Sequence, residues 1–327
     1  MVLVLIIFLI ITLVILFSLY AYFVAFFAPQ SKRNSIDTPL EGEQYEAVAG
    51  YIQQIGHIME KIPCEVVQIV SGDGYMLYGR YYHVRDGAPI EIQFHGYRSC
   101  AFRDCSGAHA LSRKMGFNAL VVDQRAHGSS DGRTISFGIA ERNDCIDWIQ
   151  YCNSRFGEQT KIILFGLSMG AATVLMASGI NLPNNVSCII ADSPYSAPCA
   201  IIEKVCSDLH YPFLLFKPFI ILGARLFGHF DLNGCSATEA VKTSKIPILL
   251  IHGEDDRLVP VTMSYEIATC GSSNVTVCTF PDAGHGLSYL TDPIRYERVI
   301  YEFLISCSDI STEISGDFTS RYLEQQT

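Results

Sequence analysis

The chain has 327 residues, 49% of them apolar and 17% charged; this excludes a disordered polypeptide and leaves room for one large domain with an appendage, or two small domains. A net charge of −10 argues against a nucleic-acid partner, because a phosphate backbone needs a basic face. Twelve cysteines show neither metal-ligand nor short disulfide spacing, and several (Cys145, Cys152, Cys188, Cys278) stand where a small buried hydrophobe would serve, the usage expected of reduced thiols in a reducing compartment.

Residues 2–28 carry no charged side chain. As a helix they would span roughly 40 Å, more than the ~30 Å hydrocarbon core of a bilayer. A secretory signal would show a basic start, a shorter apolar run and a small-x-small cleavage site. With Phe26 two residues before Ala28 none is convincing, so residues 1–30 read as an uncleaved single-pass anchor. Lys32 and Arg33 follow it, while its N-terminal side offers only the α-amino group, so the positive-inside rule places the body of the protein in the cytoplasm.

Residues 31–63 read as a linker and then an amphipathic helix over Glu41–Lys61, with Tyr45, Val48, Ile52, Ile55 and Met59 on one face, ended by Pro63 and weakened by Gly50 and Gly56. Its simplest role is packing on the domain or lying near the membrane. A strand–helix alternation begins at residue 64. Strand-like runs occur at Glu65–Val70 and Tyr75–Val84, joined by the turn Ser71-Gly72-Asp73-Gly74, then at Ile90–Phe94, Ala119–Asp123, Ile162–Phe165, Ser187–Ala191, Pro247–Ile251 and Val275–Phe280. Helical patterns fall at Ala108–Met115, Glu141–Cys152, Met169–Ser178, Thr262–Cys270 and Pro293–Ser306. Short apolar strands separated by amphipathic helices predict an α/β fold: a mostly parallel sheet covered on both faces, with one antiparallel edge from the opening hairpin. Between Ala191 and Pro247 no strand appears. Ala200–Phe230 looks helical and apolar, an insertion over the C-terminal edge of the sheet. Pro212, Lys217, Pro218 and Arg225 interrupt Tyr211–Phe230, so it reads as a lid or interfacial helix and not a second span. The tail from residue 309 to 327 is polar and expected to be loosely ordered.

Chemistry enters at Gly166-Leu167-Ser168-Met169-Gly170. A lone G-x-S-x-G is weak, but here a strand runs into it and a helix runs out, the setting of a nucleophile elbow. Gly166 and Gly170 are needed because Cβ atoms in so tight a turn would clash. A serine hydroxyl needs a base beside it. The final strand leads into Pro281-Asp282-Ala283-Gly284-His285-Gly286, which supplies His285. The strand before leads into His252-Gly253-Glu254-Asp255-Asp256-Arg257-Leu258-Val259-Pro260, which supplies the acid; Asp192, after the sixth strand, is a competing acid. These loops share the C-terminal edge of a parallel sheet. Asp123 and His127 invite an acid–base pair of their own, His95 reads as a buried hydrogen-bonded loop residue, and Arg98 as a side chain meeting solvent or, less simply, substrate. No metal and no cofactor is expected, since no ligand cluster has the spacing and Gly72-Asp73-Gly74 leads into no helix.

From about Cys64 to Cys307 the chain resembles the α/β-hydrolase superfamily, and within it the membrane-anchored bacterial hydrolases related to serine aminopeptidases and prolyl-oligopeptidase-like esterases. The matching runs are Phe94-His95-Gly96-Tyr97, Asp123-Gln124-Arg125-Ala126-His127-Gly128-Ser129-Ser130, Gly166–Gly170, His252-Gly253 through Val259-Pro260, and Gly284-His285-Gly286. Ala126 stands where relatives often carry glycine. The resemblance implies an eight-stranded hydrolase domain over 64–308 with a lid insertion at about 194–244 after the sixth strand. It selects Asp256 as the acid of a Ser168, Asp256, His285 triad, gives the oxyanion hole to the backbone N–H groups of Tyr97 and Met169, and treats the Asp123–His127 loop as structural. The expected function is a membrane-anchored serine hydrolase cleaving an ester, thioester or amide, with lipophilic acyl esters favoured. A small-peptide amidase and a catalytically silent binding or scaffold protein are the alternatives.

Overall fold

The computed structural model describes residues 1–316 and 318–320; the last part of the polar tail, 321–327, lies outside them. The first helix, α1 (Val2–Ala25), is 24 residues long and contains an 18-residue stretch with a mean hydropathy of 3.4, long and apolar enough to cross a membrane by length and composition. It is followed by α2 (Ala49–Glu60), β1 (Glu65–Val70), β2 (Met76–Tyr82), β3 (Ile90–Phe94), α3 (Ala101–Asp104), α4 (Ser106–Met115), β4 (Asn118–Asp123) and α5 (Glu141–Phe156). Then come β5 (Ile162–Leu167), α6 (Met169–Ala177), β6 (Val186–Asp192), α7 (Pro198–Asp208), α8 (Phe213–Leu226) and α9 (Ala237–Val241). The chain closes with β7 (Ile248–Gly253), α10 (Thr262–Cys270), β8 (Val275–Phe280), α11 (Ser288–Thr291) and α12 (Pro293–Ser306).

The eight strands form one sheet in the order β1-β2-β4-β3-β5-β6-β7-β8. The β1–β2 and β2–β4 pairs are antiparallel and the remaining pairs parallel, so the mostly parallel sheet with an antiparallel edge is as expected. The central strands are apolar throughout because both faces are covered. Within β5, Ile162 and Leu164 join a core closed by Trp148 and Ile149 of α5 and Val174 of α6. Their neighbours Ile163 and Phe165 join the opposite core, with Leu111 of α4 and Ile300 and Leu304 of α12. This is the two-residue alternation of a strand applied to two hydrophobic layers. Pairing of Phe94 with Gly166, Leu167 with Asp192 and Gly253 with Phe280 aligns the strand ends. The loops that follow β3, β5, β6, β7 and β8 therefore open on one edge.

Two local readings change. The Glu41–Lys61 pattern is not one helix: Glu43–Tyr45 forms a 3-10 turn after Gly42 (φ +116°), and only Ala49–Glu60 is α-helical. The break lets residues 43–45 turn toward the sheet edge. Part of the polar tail is docked, with Ile310 and Ile314 buried in the α4/α12 core and the Ser315 N–H bonded to the Met115 carbonyl (2.8 Å). The reading of Tyr211–Phe230 as no second span stands: α8 at 14 residues is about 21 Å long, too short to cross a bilayer core.

What α8 does is pack on α1. A Cβ at Gly223 would lie 2.4 Å from the Ser18 carbonyl oxygen, and Phe17 meets Phe219 at 5.6 Å between ring centroids. The last turn of α1 is held by the globular part. Tyr22 and Thr134 hydroxyls are 2.7 Å apart, Phe26 is fully buried, and the chain beyond pairs with residues 133–135. Arg33 inserts its guanidinium into the 127–132 turn, donating to the carbonyls of His127, Gly128, Ser130 and Gly132 at 2.5–3.2 Å. A residue legible in sequence only as a topogenic charge is thus a structural clamp.

Candidate active site

The serine sits between β5 and α6 at φ 56°, ψ −113°, a conformation costing of order 1–3 kcal/mol for a residue with a Cβ and held only where the surroundings over-determine it. Two glycines make that possible. A Cβ on Gly166 would stand 2.3 Å from the Gly170 carbonyl carbon, and one on Gly170 would stand 2.1 Å from the Phe94 oxygen. The Ser168 N–H donates to Asp192 O (2.8 Å) and its carbonyl accepts from Ala172 in the first turn of α6.

The loops after β7 and β8 bring up the partners. They are stitched together by Glu254 N–H to Phe280 O (2.9 Å) and Asp255 N–H to Ala283 O (3.0 Å). Gly253 is required at this crossing, because a Cβ there would lie 2.2 Å from Ala283 O. Asp256 Oδ2 lies 2.7 Å from His285 Nδ1, and His285 Nε2 lies 2.9 Å from Ser168 Oγ. An ionised carboxylate only accepts, so Nδ1 carries the proton and Nε2 is free to accept the Ser168 O–H. Asp256 Oδ1 takes the N–H groups of Leu258 (2.9 Å) and Val259 (2.8 Å). His252 Nε2 lies 3.2 Å from Oδ2 and 2.7 Å from Val259 O, while its Nδ1 faces the Ser264 hydroxyl.

Burial works to raise the Asp256 pKa, but the His285 charge and the hydrogen bonds from His252, His285 and Val259 outweigh it and hold the carboxyl well below its usual range. Burial works to lower that of His285; the charge and hydrogen bond of Asp256 prevail and raise it.

The loop after β3 lies against the serine: a Cβ on Gly96 would be 3.4 Å from Ser168 Cβ. Among the described residues no hydrogen bond engages the N–H of Tyr97 or of Met169, the latter at the open N-terminus of α6, where first-turn amides are unpaired. The loop is anchored from beneath by Asp104, a residue with no signal in the sequence. Its Oδ2 accepts the Gly96 N–H (2.8 Å) and its Oδ1 the Ser99 hydroxyl (2.5 Å).

Arg98 is neither free in solvent nor aimed at substrate. It donates to the carbonyls of Val24 (2.9 Å) and Phe27 (3.1 Å), and Tyr97 Oη donates to Ala25 O (2.7 Å). Both satisfy orphan carbonyls at the C-terminus of α1.

The side chains of the other singled-out residues stand outside the Ser168–His285–Asp256 chain of hydrogen bonds. Asp192 accepts from Tyr296 Oη (2.9 Å) and Ser193 Oγ (2.9 Å), not from His285. Asp123 pairs with Arg80 (3.1 Å). His127 bonds Arg125 O and accepts the Arg98 N–H, and burial lowers its pKa well below the ordinary value. His95 is fully buried, bonded to Gly96 O and accepting the Gln124 N–H. Ala126 adopts φ +63°, a left-handed conformation that costs alanine roughly 1 kcal/mol more than glycine.

Beside Ser168 and His285 lies a cavity of about 240 Å³. One wall comes from the segment read in the sequence as a linker and amphipathic helix: Leu40, Tyr45, Ile52 and Ile55. The segment also grips His285 from both sides. Gln44 Oε1 accepts the His285 N–H (3.0 Å) and Tyr45 Oη donates to the His285 carbonyl (3.1 Å). Gln44 belongs to no motif, and Tyr45 stands out in the sequence only as one position of an apolar stripe.

Residues 95–231 match a family described as alpha/beta hydrolase fold. The uncharacterized protein YqkD of Bacillus subtilis is 25% identical over 246 residues, which cover 75% of this chain and 80% of that protein. The protein bem46 of Schizosaccharomyces pombe is 24% identical over 291 residues, 88% of this chain and 85% of that protein. Among solved structures, the Pyrococcus furiosus esterase Pf2001 superposes with a TM-score of 0.62 at 23% identity, over 75% of this chain and 92% of that one.

Proposed function

The chain belongs to the α/β-hydrolase superfamily, and from that premise we propose that it is a membrane-anchored serine hydrolase acting through an acyl-enzyme. The observation that carries this reading is the continuous hydrogen-bonded chain from Ser168 Oγ through His285 to Asp256. His285 Nε2 takes the hydroxyl proton as Ser168 Oγ adds to the substrate carbonyl carbon. The N–H groups of Met169 and Tyr97 receive the oxyanion, each such donor being worth about 3–4 kcal/mol in the transition state. His285 then protonates the leaving group, and the acyl group stays on Ser168. A water deprotonated by His285 releases the acid. Asp256 keeps the imidazole in its productive tautomer and stabilises its cation without taking the proton.

Lipophilic acyl esters or thioesters are the favoured substrates. The cavity wall of Leu40, Ile52 and Ile55 supports this, as does α1, which we take as the anchor. A small-peptide amidase would want a free acceptor for the substrate's amino group. The two carboxylates lining the cavity, Asp104 and Asp192, are already engaged. The twelve free thiols support a body facing the reducing cytoplasm.

Labelling of the full-length protein with an active-site fluorophosphonate tests the serine. Wild type is expected to label and Ser168→Ala to lose the label; no label in wild type would leave the silent scaffold as the reading, and equal labelling of Ser168→Ala would place the reactive nucleophile elsewhere and overturn the role of Ser168. Preference for aminoacyl amides over p-nitrophenyl esters would overturn the ester assignment.

A further inference from the structure

The cavity at Ser168 does not end at α2. Ile55 and Ser106, which line it, also line a second cavity of about 410 Å³ running between α2 and α4. The second cavity is walled by Ile58, Met59 and Ile62 on one side and by His109, Ala110 and Arg113 on the other.

Gly56 lets α2 settle onto α3, where a Cβ would lie only 3.3 Å from Phe102 O and 3.2 Å from Ile36 Cγ2. Beyond that contact lies the gap, lined on the α2 side by the branched and thioether side chains Ile58, Met59 and Ile62. His109 does not make the gap ionic. Its ring packs on Tyr82 at 4.2 Å between centroids, burial pushes its pKa down to about 4, and it is neutral at physiological pH. Charge enters the lining at Arg113 and Lys114, both exposed, the latter paired with Glu297.

We propose that the gap between α2 and α4 is the distal acyl-chain subsite of Ser168, entered over Ile55 and Ser106. It accepts the tail of medium- and long-chain acyl esters. The proposal rests on the serine-hydrolase reading and deepens it. Against about 410 Å³ for the gap, the space beside the serine is little more than half as large, about 240 Å³. A short acyl chain fits there; a longer one must cross the threshold. Burying each further methylene favours binding by about fourfold, so discrimination by length should be steep once the gap is blocked.

The test uses the full-length protein and reads a ratio, kcat/KM for p-nitrophenyl laurate over that for p-nitrophenyl butyrate. Ile55→Trp fills the threshold. Ala110→Phe fills the gap from the exposed face of α4, a site where a larger side chain displaces no core packing. Both variants should lower the ratio by at least tenfold while still labelling with a fluorophosphonate. Ratios within twofold of wild type in labelled variants would overturn the subsite and leave the hydrolase reading intact. Absence of labelling in wild type would remove the hydrolase reading, and the subsite with it.

Discussion

Replacing Asp256 by asparagine exchanges one oxygen for an NH2 group where both oxygens are committed. Oδ1 accepts two backbone N–H groups, from Leu258 and Val259, and Oδ2 faces His285 Nδ1 at 2.7 Å and His252 Nε2 at 3.2 Å. If the asparagine oxygen keeps the two amides, its NH2 points at His285 Nδ1. That nitrogen must then accept, the ring proton moves to Nε2, and Nε2 can no longer take the proton of Ser168. The same NH2 confronts His252 Nε2, whose proton is directed at Val259 O. The flipped rotamer instead sets an NH2 against two N–H donors 2.8–2.9 Å away, so the first orientation prevails. A triad histidine held in the wrong tautomer loses about 10⁴-fold in kcat, equivalent to about 5 kcal/mol of barrier. Steady-state hydrolysis of a p-nitrophenyl ester by purified Asp256→Asn, with folding checked by thermal unfolding, measures it. Asp192→Asn is the control, since Asp192 bonds Tyr296 and Ser193 and not His285; it should cost less than tenfold. A kcat for Asp256→Asn within tenfold of wild type, or a larger loss in Asp192→Asn, would refute the reasoning.

Two further outcomes follow from the same geometry. Arg33→Ala leaves four carbonyls of the 127–132 turn without their shared donor. Hydrogen bonds to a charged group are worth about 1.5–3 kcal/mol each, but they are not additive and water replaces part of the loss at this half-buried site. The expected destabilisation is about 2–3 kcal/mol, a drop in Tm of roughly 4–9 °C. Arg33→Lys should recover less than half, because one ammonium cannot fan out to four acceptors; an unchanged Tm in Arg33→Ala would count against the clamp. As for pH, His285 must be neutral to act as base and Asp256 raises its pKa. The acid limb of kcat/KM should therefore have its midpoint above 6.5, with activity lost as pH falls through it. In Asp256→Asn that midpoint should move down; a wild-type midpoint below 6 would contradict the electrostatic account.

Much of the fold was legible because its signals are local. Apolar runs such as Ile162–Phe165 and the stripes of α4, α5 and α12 alternate with periods that belong to strands and helices whatever lies around them. Ser168 could be singled out because a strand, a five-residue turn and a helix are consecutive in the chain. Asp256 and His285 could be singled out because each follows a strand, and parallel strands deliver their C-terminal loops to one edge.

What the sequence by itself determined about this protein was therefore everything written in periodicity and in contiguous motifs: the apolar first helix, the mostly parallel sheet, and the strand ends bearing the serine, the acid and the histidine. Tertiary structure decided the rest, because contacts between segments distant in the chain leave no period. Gln44 and Tyr45 reach His285 across some 240 residues, Arg98 caps α1 across about 70, and Arg33 fills a turn nearly 100 residues away. Asp104 holds the loop beside the serine through Gly96 and Ser99, yet as one acidic residue on a short helix it resembles any solvated carboxylate until the loop folds over it. The same holds for Ile55, an ordinary apolar position on an amphipathic stripe, which only the meeting of α2 with α3 and α4 sets at the threshold between two cavities.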